Sequence, residues 1–140
     1  YYMSPSPDEI ENMTQAQLRK VNLRIGRQGH GLVEFLQPID LTAFGGRCSD
    51  IPGNLVIFEK NSIMVYPDED TAPPVGQGLN VPARITLLNC WPKNKATGEY
   101  IKDEDHPQMQ RHVNKLMAKT DMDFVAYEHR DGAWTFEVQH

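Results

Sequence analysis

The residues of this chain that could do chemistry are its five histidines, two cysteines, one glycine-rich loop and one lysine-rich stretch. His30, His106, His112, His129 and His140 include no pair at metal-ligand spacing such as H-x3-H. Cys48 and Cys90 each lack a neighbouring cysteine, so they read as idle thiols rather than a zinc site or a disulfide framework. Gly76-x-Gly78 invites comparison with phosphate loops but lacks their third glycine, lysine and Ser/Thr. No Ser/His/Asp, Cys/His or paired-carboxylate set has a spacing that would support hydrolysis of another molecule. No cofactor is implied. Lys93, Lys95 and Lys102 concentrate positive charge in a Pro-led stretch. Such lysines either solvate a loop or meet an acidic partner. His140 is placed differently. Trp134, Phe136 and Val138 share one face of a strand, and the period of two puts His140 on that face. An imidazole that continues a core row at the last position has two readings: an arbitrary boundary, or a backbone bond just beyond it that has been broken.

These residues need elements to hold them. Ser6-Pro7-Asp8-Glu9 spells a helix start, with Ser6 as N-cap and Glu9 closing a capping box, and Thr14 recaps a second turn over residues 15–20. Residues 22–25 and 32–36 predict a hairpin across a turn with three glycines, where His30 reads as a solvent-facing turn residue. Residues 55–59 and 63–66 predict a second hairpin; both arms are apolar almost throughout, which predicts a central sheet covered on two faces. Residues 84–91 predict another strand. A further helix starts at Asp105 and Pro107, with Met109, Val113, Leu116 and Met117 on its apolar face and His112 beside that stripe as a packing residue. The chain closes on a hairpin of residues 124–129 and 133–140 about Arg130-Asp131-Gly132. The order predicts one α+β domain over residues 1–140, a mostly antiparallel β-sheet flanked by two helices.

Composition bounds the function. At 140 residues, 39% hydrophobic and 24% charged, the chain suits one globular domain. A net charge of −5 opposes general nucleic-acid binding. No apolar run approaches the roughly 20 residues of a membrane span, and no signal-peptide core follows Tyr1, so a soluble intracellular protein is expected.

Several motifs at consistent spacing then carry a resemblance. Ser4-Pro5-Ser6-Pro7-Asp8-Glu9-Ile10, the Gly26–Gly31 turn, residues 73–80 (PPVGQGLN), residues 88–92 (LNCWP) and residues 132–140 (GAWTFEVQH) together closely resemble the autoproteolytic C-terminal domain of GLFG-repeat nucleoporins, the ninety-eight-kilodalton class. The resemblance covers essentially the whole chain. It implies a β-sheet core flanked by helices and self-cleavage at a His-Phe-Ser sequence, whose His maps onto His140. It implies residence at the nuclear pore, in the nuclear envelope. The leading function it implies is a docking domain that anchors an FG-repeat nucleoporin to the pore scaffold, supporting protein and mRNA transport. The alternative is a self-cleaving serine-type protease domain.

In the implied reaction a Ser hydroxyl attacks the carbonyl before it, giving an ester by N-to-O acyl shift that water then hydrolyses. The hydroxyl needs a base, and the imidazole two residues upstream fits that role. The Phe and Ser do not follow His140 here, so the chain is expected to be inactive and to correspond to the form after cleavage. Asn80, at the end of the Pro-Gly loop, is the candidate polar neighbour of the cut site. The implied partners are a β-propeller nucleoporin of the cytoplasmic pore face, met through Lys93, Lys95 and Lys102, and the chain's own downstream cleaved segment.

Overall fold

Two capped turns open the fold. In the computed structural model, which describes residues 1–45 and 47–139, strand β1 (Tyr2–Ser4) leads into helix α1 (Pro7–Glu11). Pro7 has no N–H to lose and a preset φ, so it suits the first helical position. Ser6 Oγ accepts from the Glu9 N–H at 3.2 Å and the Glu9 carboxylate accepts from the Ser6 N–H at 3.3 Å, the expected capping box. Thr14 and Gln17 build a second box on helix α2 (Gln15–Leu18). That helix stops short of residue 20 because Val21 is drawn into a bridge with Ile39.

The strands that follow are β2 (Arg24–Arg27), β3 (Gly31–Phe35), β4 (Val56–Glu59), β5 (Ser62–Val65) and β6 (Ala83–Leu87). Helix α3 (Pro107–Met117) and the hairpin β7 (Asp123–Glu128) and β8 (Ala133–Val138) complete the chain. Six strands form one antiparallel sheet in the order β1-β2-β3-β6-β8-β7. The predicted α+β class and mostly antiparallel sheet are therefore found, with three α-helices among the described residues in place of two.

Register sorts the two faces. Met3, Ile25, Val33, Ile85, Phe136 and Phe124 are cross-strand partners in a single apolar row, with Ile25 and Val33 fully buried. One residue along, Ser4, Arg24, Glu34, Arg84, Glu137 and Asp123 form a polar row on the other face. Within it Arg24 pairs with Glu34 at 3.3 Å and Arg84 with Glu137 at 2.7 Å. Gly31 sits opposite Leu87, and a Cβ there would collide with the Thr86 carbonyl oxygen.

Four expectations are corrected. The hairpin of β4 and β5 is not central; it is a separate two-stranded sheet. Val56 and Phe58 on β4 are fully buried, but β5 alternates between exposed and half-buried residues. Its apolar run reflects one arm facing the core and the other rimming a groove. Strand β6 ends at Leu87, before residue 91, because Asn89 turns the chain with φ 60° and donates its amide to the Gly29 carbonyl at 3.0 Å. Helix α3 is capped by His106, not Asp105: His106 Nδ1 accepts from the Gln108 N–H at 3.1 Å. Proline at the first helical position makes the residue just before it the cap. Met109 and Leu116 are buried as expected, whereas Met117 is 55% exposed, because contact runs along the narrow i, i+7 line.

His112 is a structural tie. Its Nε2 donates to the Cys90 carbonyl at 2.6 Å, and the Tyr127 hydroxyl donates to the same oxygen at 2.9 Å. Helix, edge strand and the segment after β6 thus converge on one acceptor. Phe136, 4% exposed in the middle of the apolar row, should cost about 3–5 kcal/mol of unfolding free energy as Phe136→Ala. Val125→Ala, on the edge strand at 45% exposure, should stay within about 0.5 kcal/mol. Urea unfolding of the two variants measures both.

Candidate functional site

Strand β8 presents the expected face. Trp134 and Phe136 are buried, with rings 4.3 Å apart, and Val138 is half-buried. The glycine that ends the preceding turn, Gly132, has φ 58°, and a Cβ on it would stand 2.9 Å from the Trp91 ring. That turn therefore accepts only glycine, which keys the strand against the segment after β6. His140, the proposed base, lies outside the described residues.

The β8 row forms the floor of an apolar groove of about 600 Å³. Ile63, Val65 and Tyr66 of the β4–β5 hairpin form its wall, and Leu79 and Asn80 lie at its side. Trp134 Nε1 is buried, with no hydrogen-bond partner among the described residues. Asn80 is brought to this groove, but its amide nitrogen is spent locally, donating to the Pro73 carbonyl at 3.0 Å. Its own carbonyl accepts from the Gly76 N–H at 2.7 Å, so Asn80 closes the Pro-Gly loop. The Tyr66 hydroxyl accepts from the Leu79 N–H at 2.9 Å and ties that loop to the hairpin. Sequence reasoning passed over Tyr66 as a strand end, and no local pattern marks it.

The lysine stretch is more ordered than a loop. Asn94 N–H donates to the Glu99 carbonyl at 2.8 Å and Ile101 N–H to the Pro92 carbonyl at 2.8 Å, closing a small hairpin. Lys93 Nζ stands 5.0 Å from the Tyr100 ring centre, and Lys102 Nζ stands 4.3 Å from that of Trp91. Lys60, from the β4–β5 turn, joins them 5.6 Å from the Tyr100 ring. Lys95 lies apart, lining a cleft with Lys93, Arg111 and Lys115 against α3. The three predicted lysines thus share one side of the molecule but divide between two settings. Lys60, Arg111 and Lys115 were not singled out from the sequence. For the latter pair the i, i+4 spacing on one helix was the available signal.

What these groups can do is bind. Burial pushes the Cys90 thiol up to about 11 and raises the Cys48 thiol, so neither supplies a thiolate at neutral pH. Among the described residues no cluster of His, Cys, Asp and Glu side chains could hold a metal ion, and no helix is long and apolar enough to cross a membrane.

Comparison with known proteins agrees over the full chain. The family model Nucleoporin2, described as Nup98-96 autopeptidase S59, matches residues 1–140. Nucleoporin nup189 of Schizosaccharomyces pombe is 43% identical over 141 residues, covering 100% of this chain and 8% of that protein. A chain of the yeast heterotrimeric Nup82-Nup159-Nup116 nucleoporin complex superposes with a TM-score of 0.91 at 36% identity, covering 99% of this chain and 94% of that one. The Nup145N APD of Chaetomium thermophilum, solved as a mutant fused to Nup145C N, gives 0.88 at 36% identity, covering 99% and 92%. The chain spans between 7% and 14% of the length of the curated relatives it matches. Those relatives are nucleoporins, and this chain belongs to the Nup98-96 autopeptidase S59 family.

Proposed function

We propose that this chain is a docking domain that anchors an FG-repeat nucleoporin to the nuclear pore scaffold and so supports nucleocytoplasmic transport of protein and mRNA. The observation that carries this reading is the family match over residues 1–140, together with a chain of the same fold that belongs to a heterotrimeric nucleoporin complex. An apolar groove and a cationic side, with thiols too basic to react, equip the domain for binding rather than turnover.

The partner we assign to the cationic side is a β-propeller nucleoporin of the cytoplasmic pore face, met by Lys93, Lys95 and Lys102. Truncating one member of a buried interfacial charge pair costs about 2–5 kcal/mol, whereas rim pairs mainly alter association rates. Changing Lys93→Glu and Lys95→Glu together should weaken binding to the propeller more than tenfold in calorimetry, with Tm nearly unchanged. Unchanged affinity would move the docking surface to the outer face of α3.

The groove we assign to the chain's own downstream segment after cleavage. Its apolar lining suits an extended peptide. Titration of a synthetic downstream peptide should saturate, and absence of binding at high micromolar concentration would remove the assignment.

A second reading, self-cleavage of the precursor, is favoured by the autopeptidase family itself. In it His140 is the base for the Ser hydroxyl of an appended Phe-Ser, the rigid β8 strand supplies orientation, and Asn80 is a polar neighbour of the cut. A precursor extended by that pair should cleave unaided by mass spectrometry, and its His140→Ala variant should stay intact with an unchanged Tm. Cleavage of that variant at the normal rate would exclude His140 as the base.

A further inference from the structure

One face of the large sheet buries Ile25, Val33, Ile85 and Phe136 in the core. The opposite, outer face has no second layer among the described residues. On the outer side of β2, β3, β6 and β8 every residue is half-buried or exposed, except Gly26, where a Cβ would meet the Tyr2 ring. Water alone can cover such a face of an antiparallel sheet. The order of its charges suits a more specific cover.

Across β2, β3, β6 and β8 those charges run Arg24, Glu34, Arg84, Glu137, each directly opposite the next. Arg24 meets Glu34 and Arg84 meets Glu137, yet the four side chains stay between 27% and 54% exposed. A guanidinium and a carboxylate each have more hydrogen-bonding positions than one such pair uses. A row that alternates in this way is its own complement when reversed. A two-fold axis parallel to the strands, between β3 and β6, performs that reversal on a second copy laid over the face. Arg24 of one copy then faces Glu137 of the other, and Glu34 faces Arg84. In the neighbouring row the same axis sets Leu32 over Thr86 and Tyr2 over Ala126, so no charge is left against an apolar side chain.

We propose that the outer sheet face is a self-association surface, on which a second copy of this chain docks about a two-fold axis with the two charged rows antiparallel. Isologous contact of this kind is the commonest way in which soluble chains pair. Six strands about 4.8 Å apart and about four residues long span roughly 30 Å by 15 Å, the low end of specific interfaces, so the dimer is weak and reversible. The apolar groove has its floor on the opposite face of β8, so pairing leaves it open to a peptide.

Sedimentation equilibrium of the full 140-residue chain, from micromolar to millimolar concentration, tests this. A monomer–dimer equilibrium is expected, weakening as salt is added. Arg84→Glu sets a carboxylate against Glu34 of the second copy, and Glu34→Arg sets a guanidinium against its Arg84. Each variant alone should dimerise at least about tenfold more weakly, the effect of like charges brought together at an interface. An equal mixture of the two variants should dimerise as the parent chain does, because every position of the row then faces opposite charge. A folding defect could produce the losses but not that recovery. A parent chain that stays monomeric to millimolar concentration, variants that pair as well as the parent, or a mixture that stays as weak as its components would each overturn the proposal.

Discussion

One line of side chains holds the molecule in register. Met3, Ile25, Val33, Ile85, Phe136 and Phe124 contribute one residue from each strand of the large sheet, and their contact crosses every strand boundary. Because strand side chains alternate between faces, moving any strand by one residue would turn its member of this row to the opposite face. Two strands in the middle, β3 and β6, are separated in sequence by 47 residues of loops and the small hairpin, from Leu36 to Pro82. Nothing local pairs them; burial of Val33 against Ile85 does.

The same row fixes the two surfaces to which functions are assigned. On β8, Phe136 is at once a member of the row and part of the groove floor, so the floor is as rigid as the core. The wall is a different object, a two-stranded hairpin that buries Val56 and Phe58 in the core and is also tied on by polar contacts: the Tyr1 hydroxyl accepts from the Phe58 N–H at 3.0 Å, and Arg27 donates to the Phe58 carbonyl at 2.6 Å. On the cationic side the ammonium groups rest on Trp91 and Tyr100, whose rings lie 5.5 Å apart. Aromatic faces attract cations, so these lysines are held in place at about 0.5–1 kcal/mol each. A surface built this way keeps its positive potential in an acidic protein.

What could be read from the sequence followed from local rules. The Ser6-Pro7 start and the Thr14 recap were legible because a cap is a contact within four residues. The Trp134, Phe136 and Val138 face was legible because alternation is strict there. The β4–β5 hairpin was read as central because apolar runs report burial and not which sheet supplies it. The end of β6 was missed because Asn89 turns the chain only when Gly29, 60 residues away, is there to accept its amide. At the site, Trp134 could be placed on the terminal strand, but the position of Asn80, the groove wall at Tyr66 and the third cation at Lys60 depend on non-local packing, which no spacing encodes. Residues brought together by non-local packing leave no periodic trace.

The polar row bears on how the chain avoids assembling wrongly. During folding β3 and the terminal hairpin can collide before β6 arrives, and a sheet that closed as β3-β8 would have no place for β6. Such a trap would still offer hydrophobic contact, since Val33 and Phe136 are both apolar. It would, however, set Glu34 beside Glu137, like charges directly opposite, where the native order sets Arg84 between them. Four charged side chains of the polar row thus favour the native strand order: the correct insertion alternates sign at every boundary from β2 to β8, and the short-circuited one does not.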